Sequence, residues 1–291
     1  MKIAEGDNVV VYTGPEAIVL CKITDKAREI RNKQQAANVG DKQLIHRKGA
    51  IFDLSKAIGA SYGQKFFWDS SKRWSALLHP TGELITRTIT HRTQILYRAD
   101  ISLALLLLDL QPWRRVVECG TGSGTLTYSL ASAVAPTGRV FTFDFHNQRK
   151  EFAVEFFNQC NLNDVIKAYY RDAYSPGAFL VDGEVWESSI DSVFLDLPSP
   201  WDALQNAKTV LKNFGKIVTF SPTVEQSQRM TKTLSEEGFI EIRTFEILCK
   251  PWGIGFDDEE SAEEFGSTFS CYQLAQLNHT GYLTVSTLIK D

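Results

Sequence analysis

The sequence has little of what marks a secreted, metal-binding or membrane protein. It contains five cysteines that lie far apart and form no C-x-x-C pair, so neither a zinc site nor a disulfide framework is indicated. The segment Met1–Val11 lacks the apolar core of a signal peptide. The strongest apolar run, residues 101–110, is interrupted by Asp109 and is shorter than the roughly 20 residues of a membrane span. We therefore expect a reduced, soluble, intracellular protein without a metal site.

Acidic and basic residues are nearly balanced over the whole sequence, but they are unevenly distributed along it. The formal net charge of the 291 residues is −4, whereas residues 1–92 carry +6 and residues 93–291 carry −10. This asymmetry favours contact between a polyanionic partner and the N-terminal part. A lysine-rich, solvated face of a small domain would explain it equally well.

The chain divides into two regions of different secondary-structure pattern. Residues 1–80 alternate short β-rich runs with turns, which predicts a small all-β domain, with residues 27–43 as an exposed loop. Its positive charge favours this domain as the part that contacts a partner. Residues 81–92 are predicted to be a connector. From residue 93 to residue 291, helical and strand patterns alternate, which indicates a parallel, doubly wound, Rossmann-like α/β domain. The run 257–264 carries six acids and is typical of a surface loop.

A glycine-rich loop lies between a predicted strand and a predicted helix. Gly120, Gly122 and Gly124 form G-x-G-x-G rather than the G-x-G-x-x-G of dinucleotide sites, and Glu118 directly precedes the loop. A carboxylate at this position would repel a pyrophosphate, whereas S-adenosylmethionine carries an ammonium and a sulfonium group. The loop therefore favours this methyl donor over a nicotinamide dinucleotide.

Two further acids follow the next two predicted strands. Asp144 lies about 20 residues after the loop, where an acid that accepts both ribose hydroxyls is expected. Asp172 is a candidate acceptor for the adenine amino group of the cofactor. The alternative for both, as for Glu118, is a capping or solvated acid at a strand end.

The segment Asp196-Leu-Pro-Ser-Pro-Trp201 follows another predicted strand. Open α/β sheets bind ligands at the carboxyl ends of their strands, so we predict that Asp196 shares a crevice with Asp144. Pro198 and Pro200 would hold the chain extended with exposed carbonyl oxygens, and Trp201 would offer a flat face to a nucleobase. A helix start with Ser199 as N-cap is an alternative that does not exclude this function.

Six segments resemble the catalytic subunit of the eukaryotic tRNA (adenine-58-N1) methyltransferase, and the likeness covers nearly the whole chain. These segments are HRTQILY (91–97), ECGTGSGTLT (118–127), APTG with FDFH (135–146), FLDLPSPW (194–201), SPTVEQSQR (221–229) and HTGYLT (279–284). The segment DLPSPW is the most specific. The resemblance implies a small β domain before a Rossmann-like methyltransferase domain, with S-adenosylmethionine as methyl donor.

The resemblance also assigns residues. It places the family's catalytic aspartate on Asp196 and its cofactor residues on Leu96, Ser123, Gly124, Thr125, Asp144, Arg149 and Asp172. Glutamate is usual in the family where this chain has Asp144. The candidate substrate contacts are His91, Arg92, Thr93, Pro198, Ser199, Pro200, Trp201 and Ser221. The implied partners are tRNA and a non-catalytic subunit, in a nuclear heterotetramer.

Three other functions compete with this interpretation. The chain would be a non-catalytic RNA-binding subunit if the acids served only structure, but Glu118, Asp144 and Asp196 with the intact loop argue against that. A protein or small-molecule methyltransferase is disfavoured by DLPSPW, because an acid beside the methyl group does not suit a carboxyl acceptor. A nicotinamide dehydrogenase is disfavoured by the glycine spacing. Our hypothesis is that Asp196 accepts a hydrogen bond from the amino group of the target adenine and later takes its proton.

Overall fold

The structure is a computed structural model that describes residues 1–12, 18–23, 44–47, 50–67, 74–88, 96–248, 252–255, 269–272 and 280–290. Its main element is a seven-stranded sheet. The strands are β7 (Arg115–Cys119), β8 (Arg139–Asp144), β9 (Ile166–Tyr170), β10 (Ile190–Leu195), β11 (Leu211–Ser221), β12 (Phe239–Glu246) and β15 (Tyr282–Leu288). They lie in the order β12-β15-β11-β10-β7-β8-β9.

Helices cover both faces of this sheet, because its central strands are apolar on both sides. Val116 and Val117 on β7 belong to two separate core clusters, one on each face. One face packs α2 (Arg98–Leu107), α3 (Thr125–Val134) and α4 (Asn147–Gln159), and the other packs α5 (Leu204–Val210) and α6 (Val224–Glu236). The predicted doubly wound α/β fold is thus confirmed.

One part of the sheet is not parallel. Strands β7 to β11 are mutually parallel, but β15 runs antiparallel between β11 and β12. The strands predicted from the sequence are all parallel, and β15 is not among them. The run Leu283-Thr-Val-Ser286 in β15 alternates apolar and polar residues, which is a strand signal that the prediction did not use.

The N-terminal region forms a separate antiparallel sheet. Its strands are β1 (Asn8–Tyr12), β2 (Ile18–Lys22), β5 (Lys65–Phe67) and β6 (Trp74–Leu78), and they lie in the order β2-β1-β6-β5. Two hairpins, β3 (Leu44–Arg47) with β4 (Ala50–Asp53) and β13 (Trp252–Gly255) with β14 (Phe269–Tyr272), complete the strands of the described ranges. The predicted connector, residues 81–92, contains a helix, α1 (Gly82–Thr88), that was not predicted from the sequence.

Helix α1 links the two sheets. Its Ile85 packs with Val10 and Leu20 of the small sheet and with Tyr128 and Phe156 of α3 and α4. The predicted loops 27–43 and 257–264 lie outside the described residues. No helix in the described ranges combines the length and apolarity needed to cross a membrane.

Candidate active site

The site lies where the chain changes direction within the large sheet. From β7 the chain adds β8 and then β9 on one side, and it returns to add β10 on the other side. A crevice for ligands is expected at the carboxyl ends of the strands at such a switch point. Cys119 and Leu195 are register partners at the ends of β7 and β10, so Gly120 and Asp196 leave the sheet side by side.

The first glycine of the loop is required by this proximity. A Cβ atom on Gly120 would lie 2.3 Å from the carbonyl oxygen of Asp196, and its φ of +103° is in the region that favours glycine. The third glycine, Gly124, has a φ of +80° and leaves no space for a Cβ beside the ring of Phe157. The loop therefore passes tightly between the strand end and the start of α3 at Thr125.

Asp144 is held at the end of β8 by backbone donors. Its carboxylate accepts hydrogen bonds from the N–H of Gly122 at 3.0 Å and from the N–H of His146 at 2.8 Å. The residue is 4% exposed. Because carboxylate oxygens have two acceptor positions each, Asp144 keeps capacity for a further donor while its orientation is fixed.

A cavity of about 300 Å³ opens beside these residues. Asp196 lines this cavity together with four residues that were predicted from the sequence as cofactor ligands, namely Gly120, Asp144, Arg149 and Asp172. Sequence reasoning missed further residues on its wall, namely Cys119, Phe143, Phe145, His146, Arg171, Ala173, Tyr174 and Leu197. Their positions next to strand ends were the available signal, because residues flanking a predicted ligand share its crevice.

Asp196 and Asp172 differ in their partners. Asp172 accepts a hydrogen bond from the N–H of Tyr174 at 3.0 Å. The carboxylate of Asp196 makes no hydrogen bond within the described ranges, whereas its backbone N–H donates to Cys119 O at 2.9 Å. Burial raises the pKa of Asp196 to about 6. A carboxylate with free acceptor positions and a pKa near neutrality is suited to accept a proton.

The segment that follows Asp196 is supported by two other elements. The N–H of Ser199 donates to the hydroxyl of Tyr174 at 3.2 Å, and the side-chain amide of Gln226 on α6 donates to Pro198 O at 3.2 Å. The guanidinium of Arg229 lies 4.1 Å from the ring centroid of Trp201. Pro198 lines the cavity.

Several predicted residues take other positions in this segment and around it. Trp201 packs partly against the core, and one face of its ring is covered by Arg229. Ser199 precedes a 3-10 helix at Pro200–Ala203, as the alternative prediction had it, although its side chain makes no capping bond. Ser221 is buried, and its hydroxyl has no hydrogen-bond partner among the described residues.

Six predicted cofactor residues do not line the cavity, namely Leu96, Glu118, Gly122, Ser123, Gly124 and Thr125. Leu96 is buried in the core cluster with α2 and α3. Glu118 is buried behind the loop, where one carboxylate oxygen accepts a hydrogen bond from Thr127 at 2.6 Å. Burial raises the pKa of Glu118 to about 8, and the nearby acids Asp196 and Asp144 add to this effect.

The remaining predicted residues lie beside the loop or outside the described ranges. The hydroxyls of Ser123 and Thr125 are 3.0 Å apart at the start of α3. His91, Arg92 and Thr93 lie outside the described residues.

The fold is shared with solved methyltransferase structures. An S-adenosylmethionine-dependent O-methyltransferase from Thermotoga maritima superposes with a TM-score of 0.76 at 24% identity over 100% of this chain and 96% of that one. The tRNA (m1A58) methyltransferase TrmI from Aquifex aeolicus superposes with a TM-score of 0.71 at 22% identity over 100% of both chains. At these identities the likeness concerns the fold, which is that of S-adenosylmethionine-dependent methyltransferases.

The sequence has nearer relatives. It is 36% identical over 258 residues to the tRNA (adenine(58)-N(1))-methyltransferase catalytic subunit of Dictyostelium discoideum, which covers 89% of this chain and 77% of the relative. It is 35% identical over 252 residues to the corresponding Candida albicans subunit, covering 86% and 69%. The family model of the tRNA methyltransferase complex GCD14 subunit matches residues 73–269. The resemblance inferred from the sequence is confirmed, and the chain belongs to the family of the GCD14 subunit of the tRNA methyltransferase complex.

Proposed function

We propose that this chain is the catalytic subunit of a tRNA (adenine-58-N1) methyltransferase, which transfers a methyl group from S-adenosylmethionine to N1 of adenine 58. The observation that carries the proposal is the meeting of Asp144, Asp172 and Asp196 in one cavity at the switch point of the sheet. Family membership and the identity to the catalytic subunits of two organisms support it.

The cavity fits the cofactor. Its wall carries three carboxylates and two arginines, Arg149 and Arg171. The guanidinium of Arg171 donates to the carbonyl oxygens of Ala178 and Leu180, and the three carboxylates suit a ligand with cationic groups. We propose that Asp144 accepts hydrogen bonds from the ribose hydroxyls and that Asp172 accepts one from the adenine amino group. The cofactor contacts of Leu96, Glu118, Gly120, Gly122, Ser123, Gly124, Thr125, Arg149 and Asp196 stay predictions.

S-adenosylmethionine, when bound, would supply a methyl group on a sulfonium centre, and S-adenosylhomocysteine would be the product once the S–CH3 bond is broken. Adenine N1 lies on the pairing edge, so the target base must leave its tertiary pair and enter the cavity, which costs a few kcal/mol. The free carboxylate of Asp196 then accepts a hydrogen bond from the exocyclic amine, which increases electron density at N1. After N1 is methylated, Asp196 takes the proton that leaves the amine, and the ring is neutralised.

The substrate contacts are a further part of the proposal. Pro198 and Ser199 lie beside Asp196 and would touch the base, while Pro200, Trp201, Ser221 and the junction residues His91, Arg92 and Thr93 stay predicted contacts.

We propose the division of the chain into a small β domain (1–80), a connector (81–92) and a methyltransferase domain (93–291). The separate small sheet with its own core supports the first of these units.

A partner follows from the charge distribution. Residues 93–291 carry −10 and would repel the phosphates of a tRNA unless another surface supplies cations. We propose that a non-catalytic subunit supplies that surface, that two such pairs form a heterotetramer, and that the complex acts in the nucleus. Multi-angle light scattering of the purified complex tests the stoichiometry, and imaging of the tagged chain tests the location.

The decisive experiment is nucleoside mass spectrometry of tRNA incubated with the chain, with its partner subunit, or with both. We expect 1-methyladenosine at position 58 only when both are present. Asp196→Asn in the complex should abolish the product if this chain holds the active site. Full activity with that variant would assign catalysis to the partner, and methylation of peptides instead of tRNA would overturn the proposal.

A further inference from the structure

The edge of the small N-terminal sheet exposes two aromatic side chains and a lysine. Phe67 on β5 is the register partner of Trp74 on β6, and Lys65 is the partner of Ala76. Phe67 is 60% exposed and Trp74 is 40% exposed. Large exposed aromatics that cluster on one surface mark interaction sites more often than isolated ones do.

Strand alternation places these three side chains on one face. Their neighbours Ser75 and Leu77 on β6 are buried on the opposite face. Along β6, Leu78 shares the face of Trp74 and is the partner of Val10. Val10 and Leu78 pack against Ile85 of α1. One half of the face is therefore covered by the helices, and the half with Lys65, Phe67 and Trp74 is open.

The open half combines cation and aromatic groups. The ammonium of Lys65 lies 4.5 Å from the ring centroid of Trp74, which is within cation–π range. Lys65 belongs to residues 1–92, the part of the chain with a net charge of +6. Surfaces that bind unpaired nucleotides combine cations for the backbone with aromatic rings for the bases.

We propose that Lys65, Phe67 and Trp74 form a stacking platform for unpaired nucleotides of the RNA substrate. This inference rests on the proposed function, because extraction of the target adenine leaves nearby nucleotides unpaired and able to stack. A protein partner is a poorer match, since lysine is depleted in protein interfaces and Lys65 is exposed beside Trp74 on this surface.

The test uses the full chain in complex with its partner subunit. The variant Phe67→Ala with Trp74→Ala should raise KM for tRNA about tenfold or more, while kcat and the affinity for S-adenosylmethionine stay unchanged. The single variant Trp74→Phe, which keeps an aromatic ring at this position, should have a KM for tRNA close to that of the wild type. Lys65→Gln should reduce the salt dependence of tRNA binding by about one counterion.

Trp113→Ala is the matched control. Trp113 is 63% exposed, but it precedes the N-terminal end of β7, whereas the cavity lies at the carboxyl ends of the strands. Unchanged KM in the double alanine variant would overturn the platform. Loss of the partner subunit on gel filtration would overturn it in favour of a protein contact. Fluorescence titration with a labelled single-stranded RNA separates the two proposals: binding that depends on Trp74 supports the platform even if adenine 58 proves not to be the target.

Discussion

The two sides of the cavity hold their acids in different ways. At the end of β8, Asp144 is 4% exposed and accepts hydrogen bonds from two backbone N–H groups. At the end of β10, the carboxylate of Asp196 has no hydrogen-bond donor from the described ranges, and burial raises its pKa to about 6. Both acids line the same space.

This difference separates binding from chemistry. The two backbone donors fix the orientation of the Asp144 carboxylate, which suits an acceptor that holds a ligand in place. Asp196 is partly buried, and its carboxylate receives no hydrogen bond from the described residues. Its acceptor positions are free for the substrate, and its proton affinity is raised, as expected for a group that takes a proton.

Removing the charge of Asp196 should have the largest effect. We expect Asp196→Asn to lower turnover about 100-fold or more, because the amide keeps the shape of the carboxylate but does not take a proton. Single-turnover methyl transfer by the complex measures the rate, and calorimetry should show a much smaller change in S-adenosylmethionine affinity. A near-normal rate would remove Asp196 from the mechanism.

Truncation of Asp144 should affect binding rather than turnover. If Asp144 accepts two charge-assisted hydrogen bonds from the ribose, as proposed, Asp144→Ala should lower the affinity for S-adenosylmethionine about 30-fold. Asp164→Ala is the control, since Asp164 is an exposed acid outside the cavity. Equal affinities of the two variants by calorimetric titration would place the cofactor elsewhere.

The pH profile of kcat/KM should report Asp196. The raised pKa of about 6 means that the acceptor form is lost as pH falls through 6, so kcat/KM should drop about tenfold between pH 7 and pH 5. Asp196→Asn should flatten this limb of the profile. A wild-type profile that stays level down to pH 5 would show that the ionised form of Asp196 is not needed.

The same contrast should appear in stability. Because the pKa of Asp196 is raised in the folded state, ionisation at pH 7 costs folding free energy, and this cost disappears as pH falls below about 4. We expect Asp196→Asn to raise the free energy of unfolding at pH 7 by about 1–2 kcal/mol. Asp144→Asn should lower it, because its amide accepts poorly from two N–H groups. Thermal unfolding of both variants at pH 7 measures the difference, and destabilisation by Asp196→Asn would contradict it.

Much of this site could be predicted from the sequence, since position in a doubly wound sheet follows from chain order. Asp144, Asp172 and Asp196 each follow a strand, and the strand ends share one edge. Properties that depend on packing between distant segments could not be predicted. The burial of Glu118 behind the loop, the antiparallel insertion of β15 and the side-chain contacts of the segment SPTVEQSQR depend on tertiary structure.

That last segment gives the smallest expected effect. Thr223 caps α6 by accepting a hydrogen bond from the N–H of Gln226, and the helical spacing places Gln226 and Arg229 against Pro198 and Trp201. We expect α6 to keep the backbone after Asp196 in position, so Arg229→Gln should lower kcat about threefold without changing S-adenosylmethionine affinity.

The comparison between Arg229 and a second arginine separates positioning from general stabilisation. Arg243 is an exposed residue whose guanidinium lies 5.8 Å from the ring centroid of Phe245, away from the cavity. Arg243→Gln should leave kcat unchanged, and Arg229→Lys, which keeps a cation for the ring of Trp201, should recover most of the activity. If both glutamine variants lose activity and stability equally, Arg229 acts through the fold. If only Arg229→Gln lowers kcat, and the midpoint near pH 6 also shifts, α6 sets the environment of Asp196 through the segment between them.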